Sequence, residues 1–139
     1  MNTITVETTI NSPMDKVWKL WTEPDHIVKW CQASDDWHAP AATNDLRVDG
    51  KFSTTMAAKD KSAQFDFAGV YTKVIPHEII EYVMADGRKV KLVFEDQGPI
   101  TKITETFDPE GTNSLEMQRH GWQSILDSFK RYVESRQYI

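Results

Sequence analysis

The sequence predicts an α+β domain: a curved antiparallel sheet of about six to seven strands around one long C-terminal helix, with two short helices after the first strand. Three observations predict it. Short runs of alternating apolar and polar residues occupy 3–10 and then most of 44–107, the period of half-buried strands. Turn signals such as Asp49-Gly50 and Asp86-Gly87 separate the later runs, and hairpin links make neighbouring strands antiparallel. Beyond Gly111 the period becomes helical and holds for about 20 residues, about 30 Å of helix.

Ile4, Val6, Thr8 and Ile10 alternate with polar neighbours and form the first strand. It stops at Asn11-Ser12-Pro13, where Ser12 suits a helix cap, Pro13 a first helical position and Asp15 a capping carboxylate. Met14, Val17, Trp18 and Trp21 then share one helical stripe. Thr22-Glu23-Pro24-Asp25 interrupts it and starts a second short helix with Ile27, Val28, Trp30 and Cys31. Gln32 to Thr43 has no period, and Ala39-Pro40-Ala41-Ala42 supports a loop of about a dozen residues.

Strands are then expected in succession. Leu46 and Val48 lead into the Asp49-Gly50 turn, and Phe52, Thr54 and Met56 share one face of the following strand. Asp60-Lys61-Ser62 turns the chain into a longer strand with Phe65, Phe67, Val70, Tyr71, Val74 and Ile75, where Gly69 suggests a bulge. Pro76-His77 precedes Ile80, Tyr82 and Met84, and Val90, Leu92 and Phe94 alternate on the return strand. After Gln97-Gly98-Pro99, the residues Thr101, Ile103, Glu105 and Phe107 share a face of the last strand. Asn113 or Ser114 caps the long helix, whose stripe is Leu115, Trp122, Ile125, Leu126, Phe129 and Val133. Gly121 within it weakens the helix by ~1 kcal/mol relative to alanine, which suggests a close approach there.

The length of 139 residues suits one domain, 1–139. A net charge of −5 with a pI near 5.3 argues against a nucleic-acid binder. The densest basic cluster, Arg88-Lys89-Val90-Lys91, reads as the solvent side of a strand. No apolar run reaches the ~18 residues of a membrane span. A single cysteine, Cys31, excludes an internal disulfide and suits a reducing compartment. Met1-Asn2-Thr3-Ile4-Thr5 has no secretion-signal character, so a cytoplasmic location is expected.

Several segments, in order, carry a resemblance to a known family. They are Trp21-Thr22-Glu23-Pro24 with Ile27 and Trp30, Asp45-Leu46-Arg47-Val48 with Gly50 and Phe52, Thr101 to Phe107, and Gly121-Trp122 with Ile125-Leu126. Together they resemble the START-like, helix-grip (SRPBCC) superfamily, in the branch similar to the C-terminal domain of the activator of the heat-shock-protein-90 ATPase. The resemblance spans essentially the whole chain. It implies a curved sheet wrapped on the C-terminal helix, an apolar cavity between them, and the two short helices closing one end. The eukaryotic activator also has a separate N-terminal domain for which 139 residues leave no room.

The candidate ligand-binding residues are Trp21, Trp30, Trp37, Phe52, Met56, Phe65, Phe67, Tyr82, Glu105, Trp122 and Leu126. The aromatic members either line that cavity or fill it as core, since aromatic side chains dominate both. Glu105 lies between Ile103 and Phe107, which aims a carboxylate at the inner face. There it serves as an anchor for a ligand hydroxyl or amine or as an acid–base group, unless it pairs with a base such as Arg47 or a bulge turns it outward.

Asp35-Asp36-Trp37-His38 lacks the further ligands of a metal site and reads as a solvated loop with Trp37 over the cavity mouth. His26, His77 and His120 read as surface or cap residues, and Cys31 as a buried, inert thiol. Asp45, Arg47 and Gly50 read as a turn with an ion pair. No phosphate loop, nucleophile elbow or Cys-x-x-Cys motif occurs, and no cofactor or metal is expected.

Three functions follow. The first is binding of a small hydrophobic, aromatic or lipid-like molecule. The second is protein interaction, with a chaperone as the partner that the resemblance implies. The third is a cyclase- or dehydratase-like enzyme using Glu105 with Tyr82 or His38.

Overall fold

A computed structural model describes residues 3–135. The secretion-signal expectation rests partly on Met1 and Asn2, which lie outside them. The elements in chain order are β1 (Ile4–Ile10), α1 (Met14–Thr22), α2 (Pro24–Trp30), β2 (Trp37–Asn44), β3 (Lys51–Ala58), β4 (Gln64–Ile75), β5 (Ile79–Met84), β6 (Lys89–Gln97), β7 (Ile100–Phe107) and α3 (Leu115–Ser135).

All seven strands form one antiparallel, curled sheet in the order β1-β7-β6-β5-β4-β3-β2. Strands β2 to β7 form a meander of successive neighbours, and the first strand returns to pair with the last. The expected alternation sets the inner face: Phe52, Thr54 and Met56 on β3, Ile80 and Tyr82 on β5, Val90, Leu92 and Phe94 on β6, and Thr101, Ile103, Glu105 and Phe107 on β7 are all buried. Helix α3, 21 residues and so about 32 Å long, lies along that face against β1, with α1 and α2 beside it.

The structure corrects several local expectations. Residues 37–44 are an edge strand rather than a loop. Their register with β3 shifts between His38 and Ala41, so Ala39 and Pro40 drop out of the ladder. Proline cannot donate to a ladder and is tolerated at an edge or bulge. The bulge in β4 lies between Tyr71 and Lys73, not at Gly69. Gly69 answers a close approach instead: a Cβ there would stand 2.7 Å from the Val83 carbonyl and 2.9 Å from the Phe52 ring.

Leu46 and Val48 belong to no strand. The chain there turns so tightly that a Cβ on Gly50 would lie 2.0 Å from the Asp45 carbonyl. Ser12 does not cap α1: Pro13 holds the N-cap position, and the buried Ser12 hydroxyl has no hydrogen-bond partner among the described residues. Ser114 is the side-chain cap of α3, its Oγ accepting the Met117 N–H at 3.1 Å. Leu115 leaves the apolar stripe and is exposed. Gly121 meets nothing: a Cβ there would have no neighbour within 4 Å.

Candidate functional site

The inner face and α3 diverge toward β3, β4 and β5 and enclose a cavity of about 620 Å³. That size is ordinary for a small-molecule pocket. Trp21, Trp30, Trp37, Phe52, Met56, Phe65, Phe67, Tyr82, Glu105 and Trp122 all line it; Leu126 does not, being fully buried in the core below. Period-2 alternation brings Phe52, Met56, Phe67, Tyr82 and Glu105 inward from four strands, the helices supply Trp21, Trp30 and Trp122, and β2 supplies Trp37.

Each wall is braced from behind. Trp122 stacks on the buried Phe107, with ring centroids 3.8 Å apart and planes at 11°, and presents an edge-to-face contact to Phe67. Trp30 donates its indole N–H to the Leu20 carbonyl at 2.9 Å and stacks against Trp21. Phe52 meets Tyr82 edge-to-face at 4.7 Å. At the outer end Trp37 and Phe65 touch, and Phe65 is 50% exposed, so this pair forms part of the rim. Rings held this way keep their positions without a ligand, as preorganised binding requires.

Glu105 is the polar exception. The strand register puts it between Val6 of β1 and Leu92 of β6, with Ile80 of β5 one strand further on. All three apolar neighbours are buried, and Glu105 itself is only 6% exposed. It has no ion-pair or hydrogen-bond partner among the described residues. Arg47, the base anticipated for it, pairs instead with Asp45 at 3.0 Å on the surface. Burial alone raises the Glu105 carboxyl from its ordinary 4.5 to about 8, so it is mostly protonated at neutral pH.

The Cys31 thiol and Tyr82 phenol sit close enough to feel its charge. Burial first and Glu105 second push Cys31 up to about 12 and Tyr82 well above its ordinary range. Cys31 is therefore a protonated, unreactive thiol. His38 is exposed on β2 and lies outside the cavity lining, which removes it as an acid–base partner of Glu105. Arg88 is only half on the solvent side: it lines the cavity mouth with Nε 2.7 Å from the Asp86 carboxylate. Among the described residues no three His, Cys, Asp or Glu side chains are grouped to hold a metal ion. No described helix is long and apolar enough to cross a membrane.

Sequence reasoning did not assign Tyr71, Ile80, Leu92, Gln118 and Gly121 to the lining, although all five contribute to it. For Ile80 and Leu92 the signal was present, since they share the inward period of Tyr82 and Phe94. Gln118 and Gly121 stand four residues before Trp122 and Ile125, on the same helix face, but neither is apolar and so neither joined the stripe.

Comparison with known proteins agrees with this architecture. An AHSA1-like protein from Aeromonas hydrophila, solved in solution, is 41% identical with a TM-score of 0.90, covering 99% of both chains. A Cytophaga hutchinsonii protein, also solved in solution, is 58% identical with a TM-score of 0.84 over 97% of this chain and 94% of its own. A Nitrosomonas europaea protein, 17% identical with a TM-score of 0.83 over 97% of this chain and 96% of its own, shares the fold. No curated protein matches. The family described as Activator of Hsp90 ATPase homolog 1-like protein matches residues 11–134, and the chain belongs to that family.

Proposed function

We propose that the chain binds a small hydrophobic molecule with aromatic or fused-ring character in the cavity between the sheet and α3. The main support is a space of about 620 Å³ walled by braced aromatic rings with one unpartnered buried acid. Apolar walls with a few convergent polar groups are the usual composition of a ligand site. At neutral pH the protonated Glu105 donates one hydrogen bond and accepts others, which orients a ligand that the rings alone would hold without preference.

A thermal-shift screen with sterols, flavonoids, aromatic polyketides and fatty acids tests this. A ligand at 100 times its Kd stabilises the fold by about 2.7 kcal/mol, raising the Tm of a domain this size by roughly 9 °C. Trp122→Leu should lose that shift while still unfolding cooperatively. A variant that loses stability but keeps the full shift would make Trp122 plain core.

A further inference from the structure

The charges around the cavity are one-sided. Among the described residues Asp66, Asp86, Glu105 and Glu110 line it, against the single base Arg88, which is already answered by Asp86 at 2.7 Å. The rim acids have local partners: Asp66 accepts the Thr55 hydroxyl at 2.9 Å, and Glu110 accepts the Thr112 and Asn113 backbone N–H groups at 2.9 and 2.6 Å. Glu105 differs from them in depth and in lacking a partner. It stands at the floor in a row of aliphatic residues, with its carboxyl directed into the space.

We infer that the ligand is a hydrophobic amine, whose ammonium group meets the Glu105 carboxylate while its ring system fills the aromatic walls. This deepens the ligand-binding proposal above and rests on it. Without a counter-charge the buried carboxyl keeps its proton; an ammonium ion entering with the ligand supplies the missing partner, and the proton leaves to solvent as the ion pair forms. The aromatic lining, which includes Trp21, Trp30, Phe52, Tyr82 and Trp122, favours a cation in the cavity through cation–π attraction. Rim acids and a net charge of −5 attract cations to the mouth. A ligand carboxylate finds no counter-charge at that position: among the described residues Arg88 is the one lining base, and Asp86 already engages it. Carboxylates such as fatty acids are therefore disfavoured.

The test is a matched series on one ring system: 2-naphthylmethylamine, 2-naphthalenemethanol and 2-naphthoic acid, titrated calorimetrically into the full chain at pH 7.5. The amine should bind at least about tenfold more tightly than the alcohol, as close charge pairs do, and the acid most weakly. Glu105→Gln should bring the amine to within about threefold of the alcohol, because the amide offers either compound a hydrogen bond but no charge. Glu105→Leu, of similar length and without the acid, is the second variant should the first fold poorly. An alcohol that binds as well as the amine, or an amine preference that survives both substitutions, overturns the inference and leaves the cavity proposal standing. Failure of all three compounds to bind the folded protein overturns both.

Discussion

The two halves of α3 do different work. In its C-terminal half Leu126, Phe129 and Val133 are at most 1% exposed, and the helix is tied down by polar contacts as well. Ser128 donates to the Trp30 carbonyl at 2.7 Å, Lys130 to the Thr9 carbonyl at 2.6 Å, and Glu134 accepts the Asn11 N–H at 2.8 Å. The N-terminal half has a lighter seat on the sheet, through the Trp122 ring on Phe107 and the Gln123 amide, which donates to the Glu7 carbonyl at 3.1 Å. Leu115 and Met117 are exposed, Gly121 offers no side chain, and Trp122 and Ile125 look across the cavity. It is fastened sideways by Gln118, whose amide donates to the Glu110 and Asn113 carbonyls at 3.1 and 2.9 Å and accepts the Glu110 N–H at 2.8 Å. A stiff helix packed closely at one end and held at the other only along β1 and β7 leaves room over β3, β4 and β5, and so a space this large persists. The difference teaches that one element can close a core and roof a site.

The largest expected effect comes from breaking the closed half. Phe129 meets Trp21 and Trp30 edge-to-face at 4.8 Å and has no exposed surface. Phe129→Ala should lower stability by about 3–5 kcal/mol, read by urea denaturation. A loss below about 1 kcal/mol would mean that this half repacks easily and that the contrast between the halves is false.

Next comes the acid under the open half. The Glu105 carboxyl titrates near 8 when folded and near its ordinary 4.5 when unfolded. Between those values the unfolded chain has released a proton that the folded chain keeps, so stability falls as pH rises. The contribution is fully present below pH 4.5 and is lost as pH passes through about 8. The slope is at most about 1.4 kcal/mol per pH unit. Denaturation of the wild type and Glu105→Gln at pH 5, 6.5 and 8 checks it: the variant should show a flatter dependence. Identical slopes would mean that water or a rearranged base reaches the carboxylate.

Which of these features could be read from the residues depends on whether they follow from a period. Strands β5, β6 and β7 were legible because their inner and outer faces differ sharply, and the same alternation aimed Glu105 inward between Ile103 and Phe107. Strand β2 was not legible, since an edge strand of small residues with Pro40 at a bulge has no apolar face to alternate. The lining was legible as a set of candidates, with Leu126 as the exception, because residue type and facing direction are local. The empty space itself was not. It depends on how far α3 stands off the sheet, a tertiary distance that no period or residue type along the chain encodes.

The smallest expected effect sharpens the comparison most. Glycine inside a helix ordinarily weakens it, and a close neighbour is the usual reason to retain one. Here a Cβ at position 121 has nothing within 4 Å and points into the cavity. Gly121→Ala should therefore stabilise the protein, by about 0.5–1 kcal/mol, because alanine loses less backbone entropy and meets no obstacle. Gly121→Leu should retain much of that gain while its side chain occupies the cavity, so any ligand-induced thermal shift should shrink. If alanine destabilises the protein, the open half is tighter than its geometry indicates. If leucine leaves ligand binding intact, the ligand lies toward β3 and the rim, away from the roof. Stability gained as binding is lost would identify Gly121 as a residue that keeps room for a ligand at the expense of the helix.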